Sequence, residues 1–331
     1  MKYLSMIEDS ALASGIKECG ANNAEEIVEL DVRRRGIKNL NGIENLGNLR
    51  KLHLGHNQIS DLEPLKRLNK LTGLFVENNE LEDISPLQNL TRLPALDLSN
   101  NRIRDISALD GDRKITWLNI SNNQIEDITP LRRCLFLTIL NLNTNNICDL
   151  SPLKKSYRLR VLSANDNLLT ELPKFEQSSS LTSLSLSRNR LTVIQLITLL
   201  SELTYLDLSG NAIRCVNFLS KVPNLQALNL SENPISDPSF IFELSELRSL
   251  YLWHTRINSV KGISCLQKLK ELGVADNRLE DVTEIAQIPN LSLLFLGGNH
   301  NIPRSQIEKL KQNGIRDLRG PQWKELKNNT I

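Results

Sequence analysis

The sequence predicts an α/β solenoid, a right-handed superhelix of short coils bent into an arc, with a parallel β-sheet on its concave face and short 3₁₀ or extended turns on its convex face. Three observations predict it. Asparagine recurs every 22 residues, at Asn57, Asn79, Asn101, Asn123, Asn145, Asn167, Asn189, Asn211, Asn233, Asn277 and Asn299, with Thr255 in the one interior gap. Leucine stands five residues before every lattice point from Leu30 to Leu294, which carries the lattice back to Arg35 and gives thirteen units. The second half of each unit has apolar residues at every third position, and prolines stand there at Pro64, Pro86, Pro130 and Pro152.

Each element follows from residue chemistry. Alternation around Leu-x-Leu has a period of two, so every unit supplies a short strand with leucines inward and the intervening residues outward. The lattice asparagine follows the strand, where the bending chain would bury unpaired backbone groups. Its amide has two donor hydrogens and an acceptor oxygen, enough to bond its own turn and the neighbouring one. Thr255 can do part of that job, which makes its unit a local weak point. Apolar residues three apart and prolines suit 3₁₀ or extended turns in the outer half. There Asp61, Asp83, Asp105, Asp127 and Asp149 are placed to accept backbone N–H groups at the start of each turn, rather than to bind calcium. Eleven residues after the lattice point, an apolar column fails at Asp112, Cys134, Ser156 and Ser178, so the middle units are expected to bury less.

Each unit reads Leu-x-x-Leu-x-Leu-x-x-Asn-x-Ile, as in LRKLHLGHNQI over residues 49–59. The copies resemble the leucine-rich repeat in its short 22-residue form, over residues 27–302. Stretches such as EDISPLQNLTRLPALDLSNN and EDITPL resemble the internalins of Gram-positive bacteria, and are also similar to the repeat subunits that regulate eukaryotic type 1 phosphatase. The resemblance implies a protein-interaction scaffold. It carries two alternatives, a regulatory subunit of an enzyme such as a phosphatase and a host-directed bacterial effector.

A repeat array must cover its end coils. Residues 1–26 are expected to form a helical N-terminal cap, with Leu4, Ile7, Leu12 and Ile16 on one face and Asp9 and Ser10 at the helix start. Residues 303–331 are expected to form a C-terminal cap and tail, with a helix over PRSQIEKLKQNG between Pro303 and Gly314 and Trp323 as the tail's anchor.

Forty Lys and Arg against 38 Asp and Glu leave a charge of +2 with the signs interleaved, which argues against nucleic acid or membrane as partner. The opening residues show no apolar stretch of signal-peptide type and no run is long enough to cross a membrane, so a cytoplasmic location is expected, with secretion as an effector lacking a cleavable signal as the alternative. Five scattered cysteines fit reduced thiols. A monomer is expected.

The chemistry of catalysis has no visible constellation. His53 and His56 share one unit and diverge, His254 lies nine units on, and no nucleophile or phosphate-binding loop accompanies them, so no enzyme, cofactor or metal is expected. The candidate site is instead a surface for a protein partner. From the Asn145 unit to the Asn233 unit outward strand positions are mostly small and polar, until Tyr251 and Trp253 appear with His254 beside them; Phe295 rises two strands further, across a floor of Gly273 and Ala275. This spacing predicts an open notch about 10 Å wide, two strand separations, with Tyr205 the next aromatic on the same face. A second candidate holds Phe75 and Trp117 among Arg33, Arg34, Arg35, Lys51, His53 and Asp97, where charge would steer an acidic partner.

Overall fold

The computed structural model describes residues 2–111, 113–172, 180–195 and 200–317; Asp112, Ser178 and Trp323 lie outside the described residues. The chain forms two compact units, residues 1–181 and 182–331, built on one plan. In the first, strands β1 (Glu29–Asp31), β2 (Lys51–His53), β3 (Gly73–Phe75), β4 (Ala95–Asp97), β5 (Trp117–Asn119), β6 (Ile139–Asn141) and β7 (Val161–Ser163) pair in parallel, each with the next. In the second, β8 (Ser183–Ser185), β9 (Tyr205–Asp207), β10 (Ala227–Asn229), β11 (Ser249–Tyr251), β12 (Glu271–Gly273), β13 (Leu293–Phe295) and β14 (Arg316–Asp317) do the same. From β1 to β7 and from β8 to β13 the register is leucine on leucine, so one spine of fully buried side chains runs through each unit.

Among the described residues, the outer halves of most coils are 3₁₀ turns, as their composition favours. Pro64, Pro86, Pro130 and Pro152 stand at the first or second position of four of them, where a missing N–H costs nothing. The aspartate column starts these turns. Asp61, Asp83, Asp105, Asp127 and Asp149 each accept the backbone N–H two residues on, at 2.7 to 2.8 Å. Asp237 and Asp281, which escaped the sequence reading, do likewise at 2.9 Å.

The asparagine amides work as their chemistry predicts. Asn145 is typical: its oxygen accepts the Ile125 N–H of the preceding coil at 3.0 Å, and its NH₂ donates to Ile120 O of that coil and to Leu142 O of its own, both at 3.0 Å. Thr255 departs from this. Its hydroxyl lies 3.1 Å from Leu252 O and 2.8 Å from the Asn277 side-chain oxygen, so it serves its own turn and the next but does not reach back. Ile235 N–H turns instead to Asn233 O at 2.8 Å. One residue earlier, Pro234 has no N–H for Ile213 O, a bond that Ala212 and Arg256 make in the adjoining coils. One link is therefore missing on each side of the Asn233 coil, to the coil before it at Pro234 and to the coil after it at Thr255.

Both ends carry helices. The N-terminal segment is a 3₁₀ turn (Lys2–Met6) and α1 (Ser10–Glu18), shorter than one continuous helix, because Asp9 caps α1 by accepting Ala11 and Leu12 N–H at 2.9 and 3.1 Å. The other Asp9 oxygen accepts Lys38 and Asn39 N–H at 3.0 and 3.3 Å, which fastens the cap to the first coil. At the far end α2 (Arg304–Gln312) follows Pro303, and Gly314 turns left-handed (φ 78°) after it. The parallel strand β14 beyond it has no signature in the repeat pattern. In the middle of the first unit Cys134 and Ser156 are buried at the position that Leu68 and Leu90 fill in earlier coils, and burial pushes the Cys134 thiol up to about 11. Arg113, 2% exposed, turns inward beside them and donates to Leu87, Gln88 and Ala108 carbonyls.

The bonding pattern fixes two outcomes. Asn145→Ala leaves a buried N–H and two carbonyls short of partners and lowers unfolding free energy by about 3 kcal/mol, while Thr255→Asn restores a link and raises it by about 1 kcal/mol; denaturant melts of both variants check this. The second concerns acid. The Arg33 side chain holds Asp31 down at about 2; Asp9, against a desolvation that raises it, is lowered by its four backbone N–H bonds. Carboxyls depressed by folding stabilise it fully above their ordinary 3.8 and lose that contribution as pH falls toward about 2. Melting temperature therefore drops between pH 4 and pH 2, and drops less in Asp9→Asn, measured by circular dichroism.

Candidate protein-binding faces

Non-leucine strand residues stand on an open face in each unit, and there the aromatic residues gather. In the second unit Tyr251, Trp253 and Phe295 come together, but not as an open notch. The Trp253 ring lies edge-to-face against Tyr251 (centroids 5.3 Å, 74°) and against Phe295 (5.5 Å, 73°). Its indole lies down on Gly273, where an added methyl group would collide with Nε1, and that nitrogen is buried without a hydrogen-bond partner. Tyr251 and Phe295 are only 1% and 5% exposed. The walls inferred from spacing are one packed cluster, because a glycine floor invites the largest neighbouring ring to lie across it.

Polar contacts fix the cluster from behind. The Tyr251 hydroxyl donates to the Glu271 carboxylate, which Ser249 Oγ also approaches at 3.3 Å. Burial raises the Tyr251 phenol pKa far above its ordinary value and the Glu271 bond adds to this, so Tyr251 stays a neutral donor. Tyr205 in β9 is half-buried; burial raises its pKa, with Asp207 as second cause. Asp207 itself is fully buried, its Oδ1 accepting Ser209 N–H and Oγ–H at 3.0 and 2.7 Å.

Beside this cluster, off the ends of the strands, opens a groove of about 1620 Å³. Trp253 and His254 line it, while Tyr251 and Phe295 do not. Its rim comes from residues adjoining the lattice positions, Glu232, Pro234, Arg256, Asp276, Arg278 and His300, and from Ile307 and Lys311 of α2. His254 takes the left-handed conformation there (φ 48°), which turns its side chain out of the strand alternation, and it is exposed. Among the described residues, Arg256, Arg278 and Lys311 make no side-chain hydrogen bond or ion pair, so three cations face the groove without a direct partner, on a rim that also carries Glu232 and Asp276.

In the first unit His53, Phe75 and Trp117 form a continuous row on the strand face, all half-buried. His53 stacks on Phe75 (4.6 Å, 4°), and Phe75 meets Trp117 at 6.1 Å and 45°. His56 is exposed in a left-handed turn (φ 59°), which separates it from His53.

Models for leucine-rich repeats match residues 48–62, 69–111, 113–155 and 179–235. Among solved structures an internalin of Listeria monocytogenes, InlF, is similar at 30% identity over 88% of this chain and 96% of that one, with a TM-score of 0.75. The chain belongs to the leucine-rich repeat family. Internalin C2 of the same species is similar at 28% identity over 76% of this chain and 96% of that one, TM-score 0.51. A leucine-rich repeat protein of Leptospira interrogans, at 22% identity over 94% and 98% with a TM-score of 0.67, shares the fold. Among curated proteins none matches by sequence.

In this leucine-rich repeat protein with internalin-like repeats, the strand columns at six, four and two residues before the lattice point reveal the aromatic clusters. The groove escaped them because its charged rim stands at the positions immediately before and after the lattice point, in the turns. Extending the column reading there, to Glu232, His254, Asp276 and to Pro234, Arg256, Arg278, would have found it. No described helix is long and apolar enough to cross a membrane.

The packing of Trp253 on Gly273 has a measurable consequence. Gly273→Ala overpacks the cluster, costs about 2 kcal/mol and lifts the indole off the sheet. In a chain with Trp117 and Trp323 replaced by phenylalanine, the emission of Trp253 shifts to the red and acrylamide quenching rises; unchanged emission contradicts the assignment.

Proposed function

We propose that this leucine-rich repeat chain is a non-catalytic scaffold that binds a protein partner, with the Trp253 groove of the second unit as the contact. The supporting observation is the groove itself: a half-exposed indole, braced by Tyr251 and Phe295, beside three cations that have no partner within the protein. A rigid aromatic anchor with an adjacent charged rim suits a protein contact, since such anchors carry much of an interface's energy and rim charges select and steer the partner. Carboxylates of the partner would meet Arg256, Arg278 and Lys311. His254 and Tyr205 belong to the same proposed contact, His254 on the groove rim and Tyr205 along the strand face. No disulfide links any of the five cysteines, which supports a reducing compartment such as the cytoplasm.

Affinity capture from the native cell, with the partner identified by mass spectrometry and its binding to purified variants measured by calorimetry, tests the reading. Trp253→Ala and the pair Arg256→Glu with Arg278→Glu each weaken binding by about tenfold or more, whereas Arg132→Glu on an outer turn leaves it unchanged. A partner whose affinity survives both groove changes removes the groove from the site.

A further inference from the structure

A second surface, in the first unit, has a chemistry opposite to that of the groove. We propose that the strand face of β2–β5 seats an arginine side chain of a protein partner, laid on the His53–Phe75–Trp117 row and held by the carboxylates of Glu77 and Asp97. The inference rests on the scaffold reading but uses a surface that the groove does not include.

Composition of the face pointed toward an acidic partner; hydrogen bonds and ion pairs reverse that sign. Arg33 folds back onto Asp31 in a two-pronged pair, Nε to Oδ1 at 2.9 Å and NH2 to Oδ2 at 2.6 Å. Arg35 is bound by Glu18 of the cap at 2.6 Å, and Lys51 lies 3.8 Å from Glu29. Arg33, Arg35 and Lys51 are thus compensated within the protein, while Arg34 makes no ion pair among the described residues. Arg33 also lies within electrostatic reach of Glu77, but two carboxylates have no ion-pair partner among the described residues. Asp97, which pairs with Phe75 in the sheet register, accepts only neutral donors: Ser99 N–H at 2.9 Å, its hydroxyl at 2.6 Å, and the Asn119 amide at 3.2 Å. Glu77, next after Phe75 on the same face, rests on Gly55, with Oε2 buried and without any hydrogen-bond partner.

A half-desolvated carboxylate with no partner is costly, and a cation arriving beside it recovers that cost. The neighbouring surface selects the kind of cation. Half-exposed π faces attract a cation, and a guanidinium is flat enough to stack on a ring while its N–H fork meets a carboxylate; an ammonium does only one of these well. Glycine at 73 and alanine at 95 keep the strand positions between Lys51 and Trp117 low, and the Phe75 ring leans over Gly73 within 3.0 Å of where a Cβ would stand. An acidic segment would be repelled by Glu77 and Asp97, and an apolar one would seal their charge from water uncompensated.

The test uses the full chain with Trp253→Phe and Trp323→Phe, so that Trp117 is the sole tryptophan reporter. Tetra-arginine peptide is titrated against its emission, with tetracitrulline and tetraglutamate as neutral and acidic counterparts. A saturable change with tetra-arginine, weakened about tenfold by the near-isosteric Glu77→Gln and also by Phe75→Leu, is expected, with neither counterpart binding. Circular dichroism melts confirm that both variants fold. Equal binding of tetracitrulline, preferential binding of tetraglutamate, indifference to Glu77→Gln or absence of any saturable change overturns the proposal. Arg256→Glu with Arg278→Glu leaves this titration unchanged, so the groove reading and this one stand or fall separately.

Discussion

Where each strand ends, the chain must turn beneath its neighbours and bury polar backbone, and one asparagine amide per coil makes that possible. Leucine supplies the driving force for stacking but no direction, since apolar burial is indifferent to a shift of one residue. Strands of three residues hold register weakly by themselves. The Asn145 amide, bonded to Ile125 N–H, Ile120 O and Leu142 O, ties a fixed point of one coil to a fixed point of the coil before it. Slippage would strand several buried groups at about 1 to 3 kcal/mol each, which is why the spacing of 22 residues tolerates almost no exception.

That division of labour frees the open strand face. Leucine and asparagine settle folding, so the residues between them can be small, charged or aromatic without cost to the spine, and function can be written there. Glycines punctuate the writing. Gly273 lets Trp253 lie flat, Gly55 lets Glu77 settle onto the sheet, and Gly73 receives the Phe75 ring. In each place a missing side chain defines where a large or charged side chain of the same or a neighbouring coil rests.

What could be read from the sequence is what repetition encodes. The lattice, the leucine spine, the amide bonds, the aspartate-started turns and the weak position at Thr255 all follow from residue type and spacing, because the same local problem is solved in the same way in every coil. The sequence is silent where side chains choose among neighbours. Spacing placed Tyr251, Trp253 and Phe295 around an opening, but the rotamer that closes it depends on the depth of the Gly273 floor. Composition counted the arginines near Phe75 as available, but Arg33 finds Asp31 within its own strand end. Arg113 turns inward to satisfy three carbonyls in a coil whose apolar column had failed, a repair that no column predicts.

The Asn233 coil, short of one link at Pro234 and of another at Thr255, joins these two levels. Both residues line the groove, so the wall that holds Trp253 and His254 adjoins coils that lack cross-coil hydrogen bonds made elsewhere in the array. Fewer cross-coil bonds mean a smaller cost to part the turns locally, while the strands remain tied by Leu230 N–H to Tyr251 O at 2.9 Å and Glu232 N–H to Trp253 O at 2.7 Å. The strand side of the groove is therefore stiff and the turn side yields. A groove with one firm wall carrying the aromatic anchor and one compliant wall carrying the charges can adjust its width to a partner without disturbing the leucine spine beneath it.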